Sequence, residues 1–343
     1  MLQNNDILIC KDGAGIGKLG IIESLPSPAT INSSLLLIRA QTGLDAKYLY
    51  HALCSPYFQK IVQERIDGAT TPHLYQREIR QFPIPLPPLG EQRRIVAILD
   101  EAFAGLDAMR ANAEKNLQNA RDLFDSYLNA VFSEKGEGWV ETTLDQLATE
   151  VTDGDHAPPP KSTDGVPFIT ISNIDKDSRN IDFTDTFFVA RAYFDALKPS
   201  KKPRIGDLLY TVTGSFGIPV LIEEERDFCF QRHIGLIRPK AGIDSKWLSF
   251  LLRSDGIFQQ ANEGATGTAQ KTVSLKVLRG MKVPKMPLIE QRQIAAQMEQ
   301  LQAQTSHLVS IYRQKLAAVA ELKQSILQKA FAGELTSSES IAA

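Results

Sequence analysis

Pro88-Leu89-Gly90-Glu91-Gln92-Arg93-Arg94-Ile95 returns as Pro287-Leu288-Ile289-Glu290-Gln291-Arg292-Gln293-Ile294, and this pair decides how the chain is organised. Ile294 follows Ile95 by 199 residues, and the same offset joins Ile38-Arg39 to Ile237-Arg238, Asp45 to Asp244, Leu128 to Leu327 and Phe132 to Phe331. Solenoid units recur every ~20–50 residues, so so long an offset is a duplication of a domain-sized block. After each motif the composition changes. From Glu91 to about Glu134 there is no proline and a single glycine, Gly105. Leu99, Leu106, Met109, Leu117 and Phe124, with alanines between them, recur in steps of three and four, the heptad spacing of a helical seam. The second copy, 289–332, repeats this with Met298, Leu301, Leu308, Tyr312, Val319 and Leu322. Such a helix is roughly 65 Å long at ~1.5 Å per residue and cannot bury a seam alone. Equal length and equal phase predict that the two pair antiparallel within one chain.

Working outward, residues 1–88 read as β-rich. Asp6–Cys10 and Ser34–Arg39 are short apolar strands, and Gly13–Gly20 is a glycine-dense turn between them. Tyr48, Leu49 and Leu53 carry a helix from Asp45 through Ala52 and onward to Arg65. Phe82–Pro88 is extended, because proline fixes φ and restricts the residue before it. Between the long helices, Trp139 opens a module with strands at Val166–Ser172, Asp207–Val212, Pro219–Ile222 and His233–Ile237 and a helix at Lys246–Gln260. Its second half, from about Lys202, matches residues 1–88, with Asp207 opposite Asp6. Residues 139–201 have no counterpart, so the chain is expected to begin inside a domain. The fold class is α+β. The predicted division is a partial module (1–88), a long helix (89–136), a complete module (137–287), a second long helix (288–335) and a flexible tail (336–343).

Bulk properties exclude several classes of function. Lys plus Arg number 38 and Asp plus Glu 40, so wholesale electrostatic attraction to nucleic acid is not signalled, although a local basic face is compatible with that balance. Cys10, Cys54 and Cys229 are odd in number and form no CxxC pair, which fits a reducing cytosol and argues against a disulfide framework or a thiolate zinc site. No apolar run reaches the ~18 residues of a spanning helix, and the N-terminus lacks the pattern of a secretory signal. His51, His73, His156, His233 and His307 are scattered without metal-ligand spacing. Gly15-Ile16-Gly17-Lys18-Leu19-Gly20 has the form GxGxxG after a strand, but Ile21–Pro26 does not support the helix that a dinucleotide fingerprint requires. It reads as a turn. No Asn/Asp-Pro-Pro-aromatic methyltransferase signature, P-loop or HExxH is present, so no catalytic residue is assigned.

The order of these features resembles the DNA-specificity subunit of Type I restriction–modification enzymes. The resemblance rests on the two Pro-Leu-x-Glu-Gln-Arg-x-Ile motifs, Gly206–Leu209 with its twin Asn5–Leu8, and Gly264-Ala265-Thr266 with Gly68-Ala69-Thr70. Phe331–Leu335, Asp153–His156, Gly165–Phe168 and Ser172–Ile174 extend it over essentially the whole chain. It implies a non-catalytic, cytoplasmic prokaryotic protein whose modules are target-recognition domains, each reading half of a split site on double-stranded DNA. It also implies that the helices space the half-sites and dock modification subunits, and that restriction subunits join the assembly. S-adenosylmethionine, ATP and Mg would then belong to those partners and not to this chain. An alternative is a protein-interaction scaffold, or a reader of one half-site only.

Local charge supports a DNA reading. Lys271, Lys276, Arg279, Lys282 and Lys285 stand in a stretch, 264–289, without one acidic residue, and Lys198, Lys201, Lys202 and Arg204 form a second cluster. Phosphate contacts position a protein and base-edge contacts specify sequence. Lys201, Lys202 and Lys271 are the predicted backbone contacts. His156, Lys161, Thr213, Ser215, Arg232, His233, Thr268 and Gln270 are loop donors suited to base edges. Lys11, Lys18, Asn32, Thr70, Thr71 and His73 hold the matching places in the first module.

Overall fold

A computed structural model describes residues 1–64, 73–133, 136, 138–156, 159–268 and 270–336. The chain divides into two compact units, Met1–Gln118 with Ser310–Ala343, and Asn119–Val309.

The first unit contains strands β1 (Ile7–Cys10), β2 (Leu19–Ile21) and β3 (Leu35–Ile38), helices α1 (Ala46–Cys54), α2 (Pro56–Glu64) and α3 (Gln76–Arg80), and the start of α4 (Leu89–Ser133). The strands form an antiparallel sheet in the order β2-β1-β3. Ile7 and Ile9 point from β1 into a core with Leu49, Leu53, Phe58, Val62 and Leu74. The stretch expected as one helix from Asp45 to Arg65 is two. Asp45 caps α1, accepting from the backbone N–H of Lys47 and Tyr48. Ser55 then turns extended, with ψ 151, and its hydroxyl donates to the Ala52 carbonyl at 2.6 Å. Pro56 has no N–H to continue the ladder but suits the first position of a new helix.

The second unit contains β4 (Val140–Thr143), α5 (Leu144–Leu147), β5 (Ala148–Asp153), β6 (Val166–Ile169), β7 (Phe187–Val189), α6 (Arg191–Ala196), β8 (Leu208–Thr211), β9 (Pro219–Leu221), β10 (Cys229–Phe230), β11 (Ile234–Pro239), α7 (Ser245–Arg253), α8 (Asp255–Gly264), α9 (Leu275–Gly280), β12 (Lys282–Lys285) and the start of α10 (Leu288–Phe331). The strand predicted over 166–172 stops at Ile169, where a 3-10 turn takes over at Ile171–Asn173. The helix predicted at 246–260 breaks at Ser254, as its twin does at Ser55, and the Ser254 hydroxyl donates to the Leu251 carbonyl at 2.7 Å. A hydroxyl that competes for the carbonyls of the preceding turn ends a helix without proline. The main sheet has the order β5-β11-β8-β9. Its β9-β8-β11 part repeats β2-β1-β3 of the first unit, and β5 is the addition. A second sheet, β10-β6-β7, has no counterpart among the described residues of the first unit. Fully buried Trp247, Leu248 and Leu278 anchor the main core.

The repeated motif has a structural explanation in its glutamine. Gln92 is fully buried. Its Oε1 accepts from the Asp45 N–H at 2.8 Å, and its Nε2 donates to the carbonyls of Gly43 and Pro87 at 3.0 and 2.8 Å. Gln291 does the same with the Asp244 N–H and the carbonyls of Gly242 and Met286, at 2.8, 3.3 and 2.9 Å. One side chain thus ties the start of α4 to the cap of α1, and the start of α10 to the cap of α7, with its bonds protected from water.

Each unit also packs α4 against α10 in antiparallel sense. In the first, Leu99, Phe103 and Leu106 meet Val319, Leu327 and Ala330. In the second, Phe124 and Leu128 meet Met298 and Leu301. Three seam assignments are corrected: Met109, Leu308 and Leu322 are 58%, 37% and 48% exposed. The covered apolar positions on α4 are Ile95, Val96, Leu99, Phe103, Leu106, Ala113, Ala120, Phe124 and Leu128, with Leu117 half-buried. On α10 the half-buried row runs through Val309, Tyr312, Leu316, Val319 and Lys323. On α10 the covered phase lies one residue on from each corrected place. The sequence puts Val309 and Lys323 there, and the Lys323 ammonium lies over the Phe103 ring at 4.7 Å while its stem covers apolar surface.

Candidate nucleic-acid interface

Antiparallel pairing brings three strand ends to one edge of the second unit's main sheet. Asp153, at the end of β5, stands opposite Gly235, and Thr211, at the end of β8, opposite Ile234. Four connections leave this edge: the chain after β5, the β8–β9 loop, the Gln231–His233 link into β11, and the α8–α9 loop. Backbone bonds tie them together. Asp155 N–H donates to the Phe230 carbonyl at 3.1 Å and Arg232 N–H to the Asp155 carbonyl at 3.1 Å. Val212 N–H donates to the His233 carbonyl, Val273 N–H to the Val212 carbonyl and Gly214 N–H to the Lys271 carbonyl, at 2.9, 2.7 and 3.0 Å. Residues distant in sequence therefore share one surface because the sheet delivers their loops there.

The approach of two of these loops depends on Gly154. A Cβ at that position would lie 1.9 Å from the Phe230 carbonyl oxygen, so only glycine fits. Beside it, His156, Lys161, Arg232 and His233 line a cleft of about 480 Å³ with Phe168 and Phe187 on its wall. Lys161 holds its ammonium 5.1 Å from the centre of the Phe187 ring. The His156 Nε2 is 3.1 Å from an Asp153 carboxylate oxygen. Arg232 is exposed, and its side chain makes no hydrogen bond or ion pair among the described residues. Asp155, which a search for donors does not single out, organises the cleft floor. It accepts from the Tyr193 hydroxyl and lies 3.4 Å from the Lys201 ammonium. Burial and the adjoining carboxylate raise the Tyr193 hydroxyl above its ordinary pKa, keeping it a donor.

The other predicted residues divide into presented and occupied ones. Ser215, Thr268, Gln270 and Lys271 are exposed, and the Lys271 ammonium donates to Asn262 Oδ1 at 3.0 Å. Thr213 is only 5% exposed and its hydroxyl faces that of Thr272 at 3.4 Å, so it shapes the loop and does not present a donor. Lys201 and Lys202 are half-buried with their ammonium groups engaged: Lys201 donates to the Gly154 carbonyl at 3.1 Å, and Lys202 to the Asp195 carbonyl at 2.9 Å. Their expected phosphate contacts would require those bonds to be exchanged. Gln231 lines the cleft and bridges to Asp155, which the sequence did not signal.

In the first unit the equivalent edge carries Lys11, whose carbonyl accepts from the Leu74 N–H at 2.9 Å, and His73, whose ring meets the Asp12 carboxylate. Lys18 and Asn32 are exposed there. Thr70 and Thr71 lie outside the described residues. Among the described residues this edge has no second sheet beside it, and so no cleft like the one at His156. No three His, Cys, Asp or Glu side chains converge as a metal site, and no helix is long and apolar enough to cross a membrane, among the described residues.

The profile of the Type I restriction modification DNA specificity domain matches residues 1–118 and 137–316. The specificity subunit of the Type I restriction enzyme EcoBI of Escherichia coli is 27% identical over 340 residues, covering 90% of this chain and 70% of that protein. The MjaVIII specificity subunit of Methanocaldococcus jannaschii is 22% identical over 358 residues, covering 98% and 80%. A chain from a structural study of complex assembly and conformational transition in the type I R-M system superposes with a TM-score of 0.82 at 22% identity, covering 97% of this chain and 83% of that one. The HsdS subunit from Thermoanaerobacter tengcongensis gives 0.60 at 22% identity, covering 97% and 82%. These two superpositions concern the fold.

Proposed function

Because this chain belongs to the family of Type I restriction modification DNA specificity domains, we propose that it selects a DNA sequence without catalysing a reaction, and that the loops at the Asp153–Gly235 edge read the bases. The observation that carries this reading is the gathering of four donor-bearing loops at one sheet edge, with the His156–Arg232 cleft at its centre. Arginine and glutamine offer paired donors that match guanine and adenine edges in the major groove. The second unit is the principal reader, since its counterpart has no second sheet among the described residues.

The test is selection of bound duplexes from a random library by the full chain assembled with its partner subunits. Arg232→Ala is expected to relax preference at one base position and weaken the selected site roughly ten- to a hundredfold. An unchanged motif and affinity would remove this edge from the reading surface.

In the same proposal methyl transfer from S-adenosylmethionine and Mg- and ATP-dependent cleavage belong to modification and restriction subunits, and α4 and α10 dock the former. What supports docking is the exposed apolar side chains on these helices, Met109 and Leu322 in the first unit, Leu123 and Leu308 in the second. Apolar surface of this kind marks interaction sites when it is contiguous. Met109→Glu with Leu322→Glu is expected to abolish co-purification of a modification subunit and leave the melting temperature unchanged. Full retention of the subunit would place its dock elsewhere.

A further inference from the structure

Away from the loop edge, the second unit has a pocket of about 370 Å³ where the 177–180 turn, β9, α7 and α10 meet. Arg179 and Arg253 line it. The Arg253 guanidinium lies 4.5 Å over the Phe124 ring and 5.6 Å from the Phe250 ring. Its Nη1 donates to Gln302 Oε1 at 3.2 Å, but its Nε is buried with no acceptor among the described residues. Arg179 is held at φ 56, a left-handed conformation that non-glycine residues rarely adopt. Asp175 fixes that turn, accepting from the Asp177 and Ser178 N–H groups at 3.1 and 2.6 Å, with its carbonyl accepting from the Arg179 N–H at 2.9 Å.

Neither guanidinium forms an ion pair with a carboxylate among the described residues. Asp125 attracts both, and Asp177 attracts Arg179, without a direct ion pair, and the nearby Glu299 is taken by Lys246. Burial lowers both cations from their ordinary pKa and, with Arg179 adding repulsion, pushes Arg253 down to about 10. Two desolvated like charges without a carboxylate in direct contact are costly. An oxyanion between them would remove the cost, because the planar guanidinium fork matches phosphate oxygens two at a time. Ser249, Ser306 and Asn180 add neutral donors, while Asp177 and Glu223 on the lining favour a small group over a polyanion.

We propose that this pocket binds a phosphate group, held by Arg179 and Arg253, as a site separate from the base-reading loops. The phosphate is free inorganic phosphate or one phosphate of a nucleic-acid strand. The test is titration of the full chain with inorganic phosphate at constant ionic strength, followed by ³¹P line broadening. Saturable binding of one phosphate per chain is expected. Arg179→Gln, on a surface turn, should weaken it at least about tenfold, the scale of one charge-assisted bidentate contact; Lys60→Gln, in the other unit, should not. Arg253→Gln should weaken it as well, but this side chain packs against two rings, so the turn variant decides. No saturable binding, or binding unchanged in Arg179→Gln, overturns the proposal. Displacement of phosphate by duplex DNA assigns the site to a strand, and its absence assigns it to free phosphate.

Discussion

Asp207→Ala is expected to destabilise the second unit by about 3–5 kcal/mol, the range for removing one partner of a buried ion pair. Asp207 is 2% exposed. Its carboxylate accepts from Arg238 Nε at 2.9 Å and Nη2 at 2.7 Å, and from the Arg204 N–H at 3.0 Å. Arg238 cannot turn to water, because its Nη1 and Nη2 are committed to the carbonyls of Pro199 and Lys202 at 3.3 and 2.9 Å. Alanine therefore leaves a covered guanidinium without its anion and an N–H without its acceptor. Both tryptophans, Trp139 and Trp247, lie in this unit, so urea unfolding followed by their fluorescence reports on it directly. A loss under about 1 kcal/mol, the size of a surface pair, would contradict the argument. The duplicate supplies an internal control. Asp6 binds Arg39 through the same two nitrogens, each at 2.7 Å, but the Arg39 side chain is 45% exposed. Asp6→Ala should cost less, since the orphaned arginine keeps its water.

The same pair shows what a sequence can disclose. Their neighbours align Asp6 with Asp207, and the 199-residue offset aligns Arg39 with Arg238, but nothing in one dimension joins aspartate to arginine. The duplication, the α+β class and the two long helices were legible because they are periodic or repeated. The breaks at Ser55 and Ser254 were not, because helix period continues through them and the break depends on where a hydroxyl finds a carbonyl. In Glu-Gln-Arg the charged residues drew attention, yet the neutral glutamine carries three bonds in each copy. A glutamine repeated at offset 199 beside a capping aspartate was the available signal. The helix seam differs at Leu308 because apolar Leu308 and Val309 occupy adjacent phases and only the packed partner selects one, at Leu322 because a lysine, Lys323, holds the half-buried place beside it, and at Met109 because that turn of α4 is exposed. At the loop edge, composition found the donors that solvent sees, such as Arg232 and Gln270. It could not separate them from Thr213, whose burial follows from the Thr213–Thr272 bridge, or from Lys201 and Lys202, which the fold occupies.

Gln270→Ala with Lys271→Ala tests that distinction between presented and occupied residues. Both side chains are exposed, and the lysine's ammonium bond is to Asn262 on the same surface. The backbone bonds that hold the loop, Gly214 N–H to the Lys271 carbonyl and the reciprocal pair between Thr266 and Thr272, survive alanine. The melting temperature should therefore barely move. Binding to the selected duplex should weaken roughly ten- to a hundredfold, from one lost base-edge pair and one lost phosphate contact. The two losses separate in salt. Each phosphate contact contributes a slope of about −0.9 in log K against log salt, so Lys271→Ala alone should flatten that slope by about one and weaken all sequences alike. Gln270→Ala alone should leave the slope intact and relax preference at one position. A collapse in stability would make this loop a structural turn, closed by the Gln270 amide over Gly214, where even a Cβ would come within 3.0 Å of its nitrogen. Unchanged DNA binding in a folded double variant would confine the reading surface to the His156–Arg232 cleft.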